Sequence, residues 1–466
     1  MDDITDLLTT AAHEAAAFRE SLATRPVAPS GDAEATLAGF AGALPAEPTP
    51  ASEVVRELVA AAAPGLMGSA GPRFFGFVVG GALPAATSAD ILATGWDQCA
   101  FNAVLSPAAA VAEQVAGTWL KELLGIPSTS SVGFATGAQG ANTVGLAAAR
   151  HHLLAETGWD VGAHGLSGSP RIRVVAGAER HTTIDASLRL LGMGTDCIEE
   201  VRADANGAMD MDDLERVLSS GSDGPLIGCL QAGNVNTGAC DNLRRGTDLL
   251  HMHGGWAHVD GAFGLWAAAD PGRRQMTDGV GLADSWCVDG HKWLNVPYDS
   301  AFAFCSRPDA HAAALSLSAA YLSGSETISY GPQDLVLESS RRARGFAVWA
   351  ALRELGSQGV ADMIDRACVM ARRLADGLAA GGAEIVNDVV LNQVLVGFGL
   401  EDGAEAASAR IDAIIAGVQA EGTCWLGGTI WRGRRLIRIS VSNYATTAED
   451  VDASVAAILR VTAAVN

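Results

Sequence analysis

The stretch SWCVDGHKW, residues 285–293, joins an apolar run to a lysine. The run predicts a buried β-strand, and Asp289, Gly290 and His291 lead from its end to Lys292. Ligands of an open parallel sheet bind at the carboxyl ends of the strands, so this lysine lies where a ligand is expected. A lysine that is desolvated there can lose its proton and form an imine with an aldehyde. Taken alone, the residue is a weak indication, because most lysines are surface charges.

Other short β-rich runs alternate with helical segments around this stretch. Continuous apolar strands separated by amphipathic helices are typical of a mostly parallel sheet covered on both faces, so we predict an α/β fold. The predicted strands are SVGFAT, RIRVVAG, PLIGCLQAG, WAHVDG, DSWCVDG and SAFAFC, and the predicted helices lie near 139–154, 180–192 and 242–253.

The two ends of the chain have different patterns from the middle. The first 50 residues predict one helix followed by a linker rich in Pro, Ala and Gly, which indicates an arm that packs on a neighbour. The last hundred or so residues alternate strands and helices again and predict a small α/β domain. We therefore expect an N-terminal helical arm or segment at 1–90, a large domain at 91–345 and a C-terminal small domain at 346–466.

Composition limits the partners and the location. Hydrophobic residues make up 49% and charged residues 18%, which argues against disorder and favours an oligomer. The formal net charge of -22 would repel phosphate backbones and anionic headgroups, so neither nucleic acid nor a membrane is an expected partner. The eight cysteines form no close pairs, and the acidic N-terminus does not resemble a secretory signal. A cytoplasmic protein is predicted.

Three further strand ends carry groups that are suited to binding a ligand. Asp260 ends the run WAHVD, where a buried carboxylate needs a cation unless it caps a helix or forms an internal ion pair. The small-residue turn GFATGAQGAN precedes a helix, so its backbone N–H groups can approach a phosphate. His181 follows a strand and opens a helix, where it could stack on a planar ring or act only as a cap. Together, the small-residue turn, His181, Asp260 and Lys292 in this order indicate a ligand site more specifically than any one of them does alone.

With these residues in place, the sequence resembles the group II pyridoxal-phosphate (PLP)-dependent amino-acid decarboxylases. The string DGHKWLNVPYD, residues 289–299, closely matches the lysine motif of that family. The resemblance runs from about Pro72 to the C-terminus and includes FFGFVVGGALPA, QAGNVNTGACDN, HVDGAFG, SRRARGFAVW and RLIRISVSN. It implies the PLP fold type I, with a mostly parallel central sheet in the large domain.

The resemblance also implies a cofactor site. Lys292 would hold PLP as a Schiff base, Asp260 would pair with the pyridinium, and His181 and Ala262 would lie on opposite faces of the ring. Gln139 departs from the residues that many members have in the phosphate turn. The implied cofactor-binding set is Ala138, Gln139, His181, Asn234, Asp260, Ala262, His291 and Lys292.

On the substrate side, the resemblance assigns Arg438 to the substrate carboxylate, although an ion pair on a strand of the small domain would explain it too. The implied side-chain pocket is apolar, which favours an aromatic or apolar amino acid over glutamate or aspartate. These pocket residues could equally form the core of a dimer interface. They are Phe77, Val78, Val79, Gly80 and Phe101.

The family implies a proton donor on a mobile loop, contributed across the interface of a homodimer whose active site lies between the subunits. In this sequence the loop would lie around 319–334, with Tyr330 as the candidate. The implied catalytic set is Lys292, His181, Asp260, Tyr330 and Arg438.

The predicted function is PLP-dependent decarboxylation of an L-amino acid through an external aldimine and a quinonoid. One alternative on the same scaffold is a decarboxylative oxidative deaminase or an elimination lyase. A second alternative is a non-catalytic PLP-binding protein, against which the retention of the full residue set argues.

Two other classes of site are disfavoured. His251, His253 and His258 form an H-x-H…H pattern, but two of them lie at a predicted helix end and no acidic ligand accompanies them, so no metal site is predicted. No G-x-G-x-x-G motif follows the first strand with an acid about 20 residues later, which argues against a Rossmann dehydrogenase.

Overall fold

The computed structural model describes residues 3–221, 224–316, 331–399 and 403–465. The chain forms two compact units. One consists of Met1–Gly81, Arg372–Val386 and Val394–Asn466, and the other of Ala82–Ala371 and Asn387–Gln393. We call them the terminal unit and the central unit. The division predicted at 1–90, 91–345 and 346–466 stays a prediction.

Helices and strands alternate through most of the described chain. The helices are α1 (Ile4–Ser21), α2 (Ala33–Phe40), α3 (Ala51–Ala62), α4 (Pro84–Trp96), α5 (Pro107–Leu124), α6 (Ala138–Glu156), α7 (Val161–His164), α8 (Thr182–Leu190), α9 (Met211–Ser220), α10 (Leu243–Met252), α11 (Pro308–Leu315), α12 (Gly345–Ala380), α13 (Ala404–Glu421) and α14 (Ala448–Val465). The strands are β1 (Ser131–Ala135), β2 (Arg173–Gly177), β3 (Ile198–Val201), β4 (Leu226–Gln231), β5 (Trp256–Asp260), β6 (Ser285–Asp289), β7 (Ala301–Cys305), β8 (Glu384–Ile385), β9 (Gln393–Gly397), β10 (Gly427–Trp431) and β11 (Arg434–Ser440).

The central unit is built on a seven-stranded sheet in the order β1-β7-β6-β5-β4-β2-β3. Strands β3, β2, β4, β5 and β6 pair in parallel, whereas β7 lies antiparallel between β6 and β1. Strands β5, β6 and β7 are buried along their whole length, as expected for a sheet covered on both faces. The predicted α/β fold with a mostly parallel sheet is confirmed.

Local sequence explains where the helices near the sheet begin and end. Ser106 caps α5 by accepting a hydrogen bond from Ala109 N at 3.3 Å, and Pro107 occupies the first turn, where its missing N–H costs nothing. The helix ends at Gly125, whose φ of +68° is the left-handed conformation that glycine adopts most easily. Helix α12 is interrupted at Gly356, which has φ +60° and ψ 179°.

Two sequence-based expectations about these elements are wrong. The predicted N-terminal linker contains α2, which Asp32 caps by accepting from Ala35 N at 2.8 Å, and it is followed by α3. The prolines there separate helices, and the helical arm expected at 1–90 stays a prediction. The prediction also missed β3, because this edge strand (IEEV) carries two glutamates and lacks the apolar signature of its neighbours.

The terminal unit contains a four-stranded sheet in the order β10-β11-β9-β8. The segment that precedes α4 joins this sheet, because Phe75 N donates to Trp425 O at 2.8 Å and Ser440 N donates to Phe75 O at 3.0 Å. Across all described residues, the structure contains no helix that combines the length and the apolarity needed to cross a bilayer.

Candidate active site

Lys292 lies in the turn that follows β6, with its amine in contact with a buried carboxylate. Its Nζ atom is 2.9 Å from Asp289 Oδ2, and the side chain of Asp289 is only 2% exposed. Burial alone would lower the pKa of Lys292, but the negative charges of Asp289 and Asp260 outweigh it and raise that pKa above its ordinary value. The direction of this pKa shift is opposite to the one that desolvation alone would give, and the imine-forming role of Lys292 stays a prediction.

Asp289 also connects the lysine to the start of α6. Its Oδ1 atom accepts a hydrogen bond from Ala138 N at 2.6 Å, in the first turn of that helix. A carboxylate is favourable there because the unpaired N–H groups and the helix dipole attract negative charge. Sequence reasoning quoted Asp289 only as part of the lysine motif, although its position at a strand end was the available signal.

The ring of His291 packs in the same turn. Its Nδ1 atom accepts a hydrogen bond from Ser300 N at 3.0 Å, so in the neutral ring the hydrogen is on Nε2, which lies 3.4 Å from Asp289 Oδ1. Burial lowers the pKa of His291, which favours this neutral form. The ring stacks on Tyr298 with 4.4 Å between centroids.

Asp260 ends strand β5 and is 4% exposed. Asn142 Nδ2 donates to its Oδ2 at 3.3 Å, while Cys287 Sγ and Ala262 N donate to its Oδ1, both at 3.2 Å. The backbone of Ala262 also accepts from Asp289 N at 2.9 Å, which ties the end of β5 to the end of β6. Asn142 and Cys287 were not singled out from the sequence, because an amide inside a helix and a thiol inside a strand give no motif.

His181 caps α8, as one reading of the sequence expected. Its Nδ1 atom accepts from Thr183 N at 3.3 Å and lies 2.9 Å from Thr183 Oγ1. That hydroxyl oxygen also accepts from Asn142 Nδ2 at 3.3 Å. The imidazole is thus linked to Asp260 through Thr183 and Asn142.

The remaining predicted cofactor residues of the central unit have varied surroundings. Gln139 is exposed in the first turn of α6, and Ala262 packs against a buried cluster that includes Ala138. Asn234 is buried, and its side chain bonds to Glu179 O, Gln231 Oε1 and the backbone N–H groups of residues 236 and 237. Its predicted cofactor contact stays a prediction. Phe101 is half-buried next to Ala100, whose N–H donates to Arg341 O.

The predicted side-chain pocket contributes an aromatic stack to the terminal unit. Phe77 has a φ of +53°, is 63% exposed and stacks on Trp425 with 5.8 Å between centroids. Gly76 is required here, since a Cβ would lie 1.9 Å from Cζ3 of Trp425. Of the neighbouring predicted residues, Val78 and Gly80 are buried and Val79 is half-buried.

Arg438 lies on β11 of the terminal unit, opposite Gly427 of β10. It is half-buried, and this burial lowers the pKa of its guanidinium. Tyr330, the predicted proton donor, lies outside the described residues. Within the described ranges, no group of three or more His, Cys, Asp or Glu side chains is placed to hold a metal ion.

The chemistry of the central-unit site fits PLP. It offers an amine for the aldehyde at Lys292, a buried carboxylate for the pyridine nitrogen at Asp260, and the first turn of α6 for the phosphate, where the Ala138 N–H is itself bonded to Asp289. Each of the three groups matches one functional group of the cofactor in charge and hydrogen-bonding type.

Comparison with known proteins leads to the same family. A family model described as the pyridoxal-dependent decarboxylase conserved domain matches residues 34–400. The L-2,4-diaminobutyrate decarboxylase of Acinetobacter baumannii is 27% identical over 316 residues, which cover 64% of this chain and 60% of that protein. Tryptophan decarboxylase 1 of Oryza sativa subsp. japonica is 25% identical over 468 residues, covering 95% of this chain and 90% of that protein.

The fold agrees with these sequence matches. The crystal structure of Oryza sativa TDC with PLP and tryptamine superposes with a TM-score of 0.91 at 23% identity, covering 99% of this chain and 98% of that one. The chain therefore belongs to the pyridoxal-dependent decarboxylase family, a family of PLP-dependent carboxy-lyases with this α/β fold.

Proposed function

We propose that the protein removes the α-carboxylate of an aromatic or apolar L-amino acid as CO2, with Lys292 as the attachment point of PLP. The observation that supports this most is the meeting of Lys292, Asp289 and the first turn of α6 beside Asp260. Bound PLP supplies an electron sink for the bond that breaks at Cα.

In this proposal, the residues of the central unit hold and orient the cofactor. Asp260 pairs with the ring nitrogen, and His181 lies against the ring face. The first turn of α6, at Ala138 and Gln139, binds the phosphate, as helix N-termini do for anions, while the Ala138 N–H itself bonds to Asp289. Asp289 then serves as the counter-charge that holds the Lys292 amine in place before the aldehyde arrives.

We propose substrate-binding roles for Arg438 and Phe77. Arg438 binds the substrate carboxylate, since a guanidinium stays charged even where burial lowers its pKa. Phe77 and Trp425 form an apolar aromatic surface that suits an aromatic or aliphatic side chain. We propose Tyr330 as the residue that delivers a proton to Cα.

We further propose that the protein acts as a homodimer with its active site at the subunit interface. Large apolar side chains are exposed on α1, α2 and α4, an arrangement that favours a covered surface. They include Ile4, Leu8, Leu37, Phe40, Ile91, Leu92 and Trp96. A cytoplasmic location stays a prediction.

The experiment is to purify the protein with PLP and incubate it with a panel of aromatic, aliphatic and acidic L-amino acids. CO2 and the matching amine should form in equal amounts, with the aromatic or apolar substrates preferred. Lys292→Ala serves as the inactive control. Aldehyde, ammonia or peroxide in place of amine would point to oxidative deamination or elimination, and turnover of glutamate alone would contradict the proposed pocket.

A further inference from the structure

A chain of buried polar side chains leads through the central unit to Asp260. Trp256 Nε1 donates to Ser285 Oγ at 2.8 Å, and Ser285 Oγ lies 2.8 Å from His258 Nδ1. His258 Nε2 lies 2.8 Å from Asn142 Oδ1, and Asn142 Nδ2 donates to Asp260 Oδ2 at 3.3 Å. His258, Asn142 and Ser285 have no exposed surface.

Trp256 and Asp260, at the two ends of this series of side chains, fix the direction of every hydrogen bond in it. An indole N–H can only donate, and an ionised carboxylate can only accept. Asn142 must therefore turn Nδ2 toward Asp260, which leaves Oδ1 facing the histidine. His258 must then carry its hydrogen on Nε2 and accept from the Ser285 hydroxyl at Nδ1. All donors point toward Asp260.

The series of hydrogen bonds branches at Asn142. The same Nδ2 group that donates to Asp260 also lies 3.3 Å from Thr183 Oγ1, and Thr183 bonds to His181 Nδ1. The opposite amide orientation would place Oδ1 against two oxygen atoms, so the assigned one is the favourable one. A single amide thereby sets the carboxylate of Asp260 and, through Thr183, the ring of His181.

We propose that His258 and Asn142 are positioning residues, which hold Asp260 and His181 in the orientation that the PLP ring requires. The inference rests on the proposed cofactor site. It adds two residues that would touch neither cofactor nor substrate. Their effect would come from fixing two groups that do, because fully satisfied buried networks restrict each member to one geometry.

The surroundings of His258 agree with a fixed neutral ring. Burial lowers the pKa of His258 to about 4, so the ring keeps a single hydrogen at neutral pH. Gly145 of α6 packs against it so tightly that a Cβ would lie 2.8 Å from both Nδ1 and Cε1 of the imidazole. The helix that carries Asn142 thus also restricts the position of the ring.

The test uses the PLP-loaded enzyme with nitrogen-15 in the pyridine ring. The variants Asn142→Leu and His258→Leu remove the donors while keeping apolar bulk, and His258→Gln retains a donor toward Asn142. In wild type the pyridine resonance should be that of a protonated nitrogen. In both Leu variants it should move toward the unprotonated value and the circular dichroism of the bound cofactor should weaken. We expect kcat to fall about 10-fold or more with little change in KM, and His258→Gln to recover part of each signal.

Thr143→Val provides the matched control. Thr143 follows Asn142 on α6 and is 4% exposed, and its hydroxyl lies 2.9 Å from both Gln139 O and Ser187 Oγ. The substitution removes a buried hydroxyl from the same helix and leaves the hydrogen-bonded side chains that lead to Asp260 unchanged. Its pyridine resonance and cofactor dichroism should equal those of wild type.

The outcomes separate this inference from the proposed function. If wild type binds no PLP, the proposed function itself fails. If wild type holds PLP with a protonated ring nitrogen and both Leu variants keep the wild-type resonance, dichroism and kcat, the positioning role is overturned while the function stands. Should the Leu variants not fold, Gly145→Ala displaces the His258 ring instead. Its resonance should shift in the same direction, and an unchanged resonance would overturn the inference.

Discussion

Asp289 and Lys292 form an ion pair across three residues of one turn, with 2.9 Å between Oδ2 and Nζ. The same carboxylate accepts the first N–H of α6 at Ala138, so one buried charge contacts both the amine and the helix N-terminus. Imine formation requires the neutral amine, whereas this contact stabilises the protonated one.

Replacing Asp289 by Asn should therefore speed the loading of cofactor at neutral pH. The attraction that raises the pKa of Lys292 is lost, the pKa falls, and a larger fraction of the amine is neutral at any pH below it. The measurement is the rate at which cofactor-free protein takes up PLP as a function of pH. The midpoint should move to lower pH. Asp299→Asn is the control, because Asp299 lies in the same turn region but pairs with Arg344. A midpoint that stays in place or rises contradicts the account.

Arg341→Ala should strongly destabilise the fold. The two terminal nitrogens of Arg341, Nη1 and Nη2, both donate to the carboxylate of Glu113, with 2.7 Å between Nη2 and Oε2. The side chain of Arg341 is 1% exposed. Removing the arginine leaves a buried carboxylate whose pKa burial already raises, at a cost of about 3–5 kcal/mol. Urea unfolding measures the loss. Arg373→Ala breaks the exposed pair with Asp452 and should leave the unfolding curve unchanged. Equal curves for both variants would refute the prediction.

Gly76→Ala should impair substrate binding while leaving the cofactor site intact. The added methyl group would overlap the ring of Trp425 and displace the stack with Phe77, with a stability cost of about 1–3 kcal/mol. We expect KM for an aromatic substrate to rise and PLP absorbance to remain unchanged. Gly95→Ala is the control, since a Cβ there meets nothing within 4 Å. An unaltered KM would show that the aromatic stack does not contact substrate.

Two buried histidines should make the free energy of unfolding decrease as the pH falls. Burial lowers the pKa of both His258 and His311 to about 4, below the ordinary value of 6.5. The unfolded chain then binds more protons than the folded one between these values. Their stabilising contribution is thus complete above pH 6.5 and is lost as pH falls toward 4. Each contributes a slope of about 1.4 kcal/mol per pH unit in that window.

His311→Gln tests this slope away from the active site. His311 bonds to Ser131 Oγ at 2.8 Å and to Leu335 O at 3.0 Å, contacts that a glutamine can partly replace. Urea unfolding at several pH values between 4 and 7 should show a smaller dependence on pH in the variant. Parallel pH dependences in the two proteins would mean that His311 does not titrate as its burial implies.

The sequence predicted the strand-end chemistry more fully than the network behind it. Lys292, Asp260 and His181 were singled out because they lie at or just after the end of a predicted strand, next to a recognisable turn. Asn142 and Cys287 were not predicted. They hydrogen-bond to Asp260 from a neighbouring helix and strand, and such contacts depend on how the helices and strands pack, which no local sequence pattern encodes. The raised pKa of Lys292 was not predicted for the same reason, since desolvation was inferred from the sequence and the contact with Asp289 was not.

The most direct test of the account is to reduce the PLP-treated protein with borohydride and map the modified residue by peptide mass spectrometry. The account predicts a pyridoxyl adduct on Lys292 alone and its loss, together with CO2 release, in Lys292→Ala. An unmodified Lys292, or a Lys292→Ala variant that keeps full activity, would contradict it.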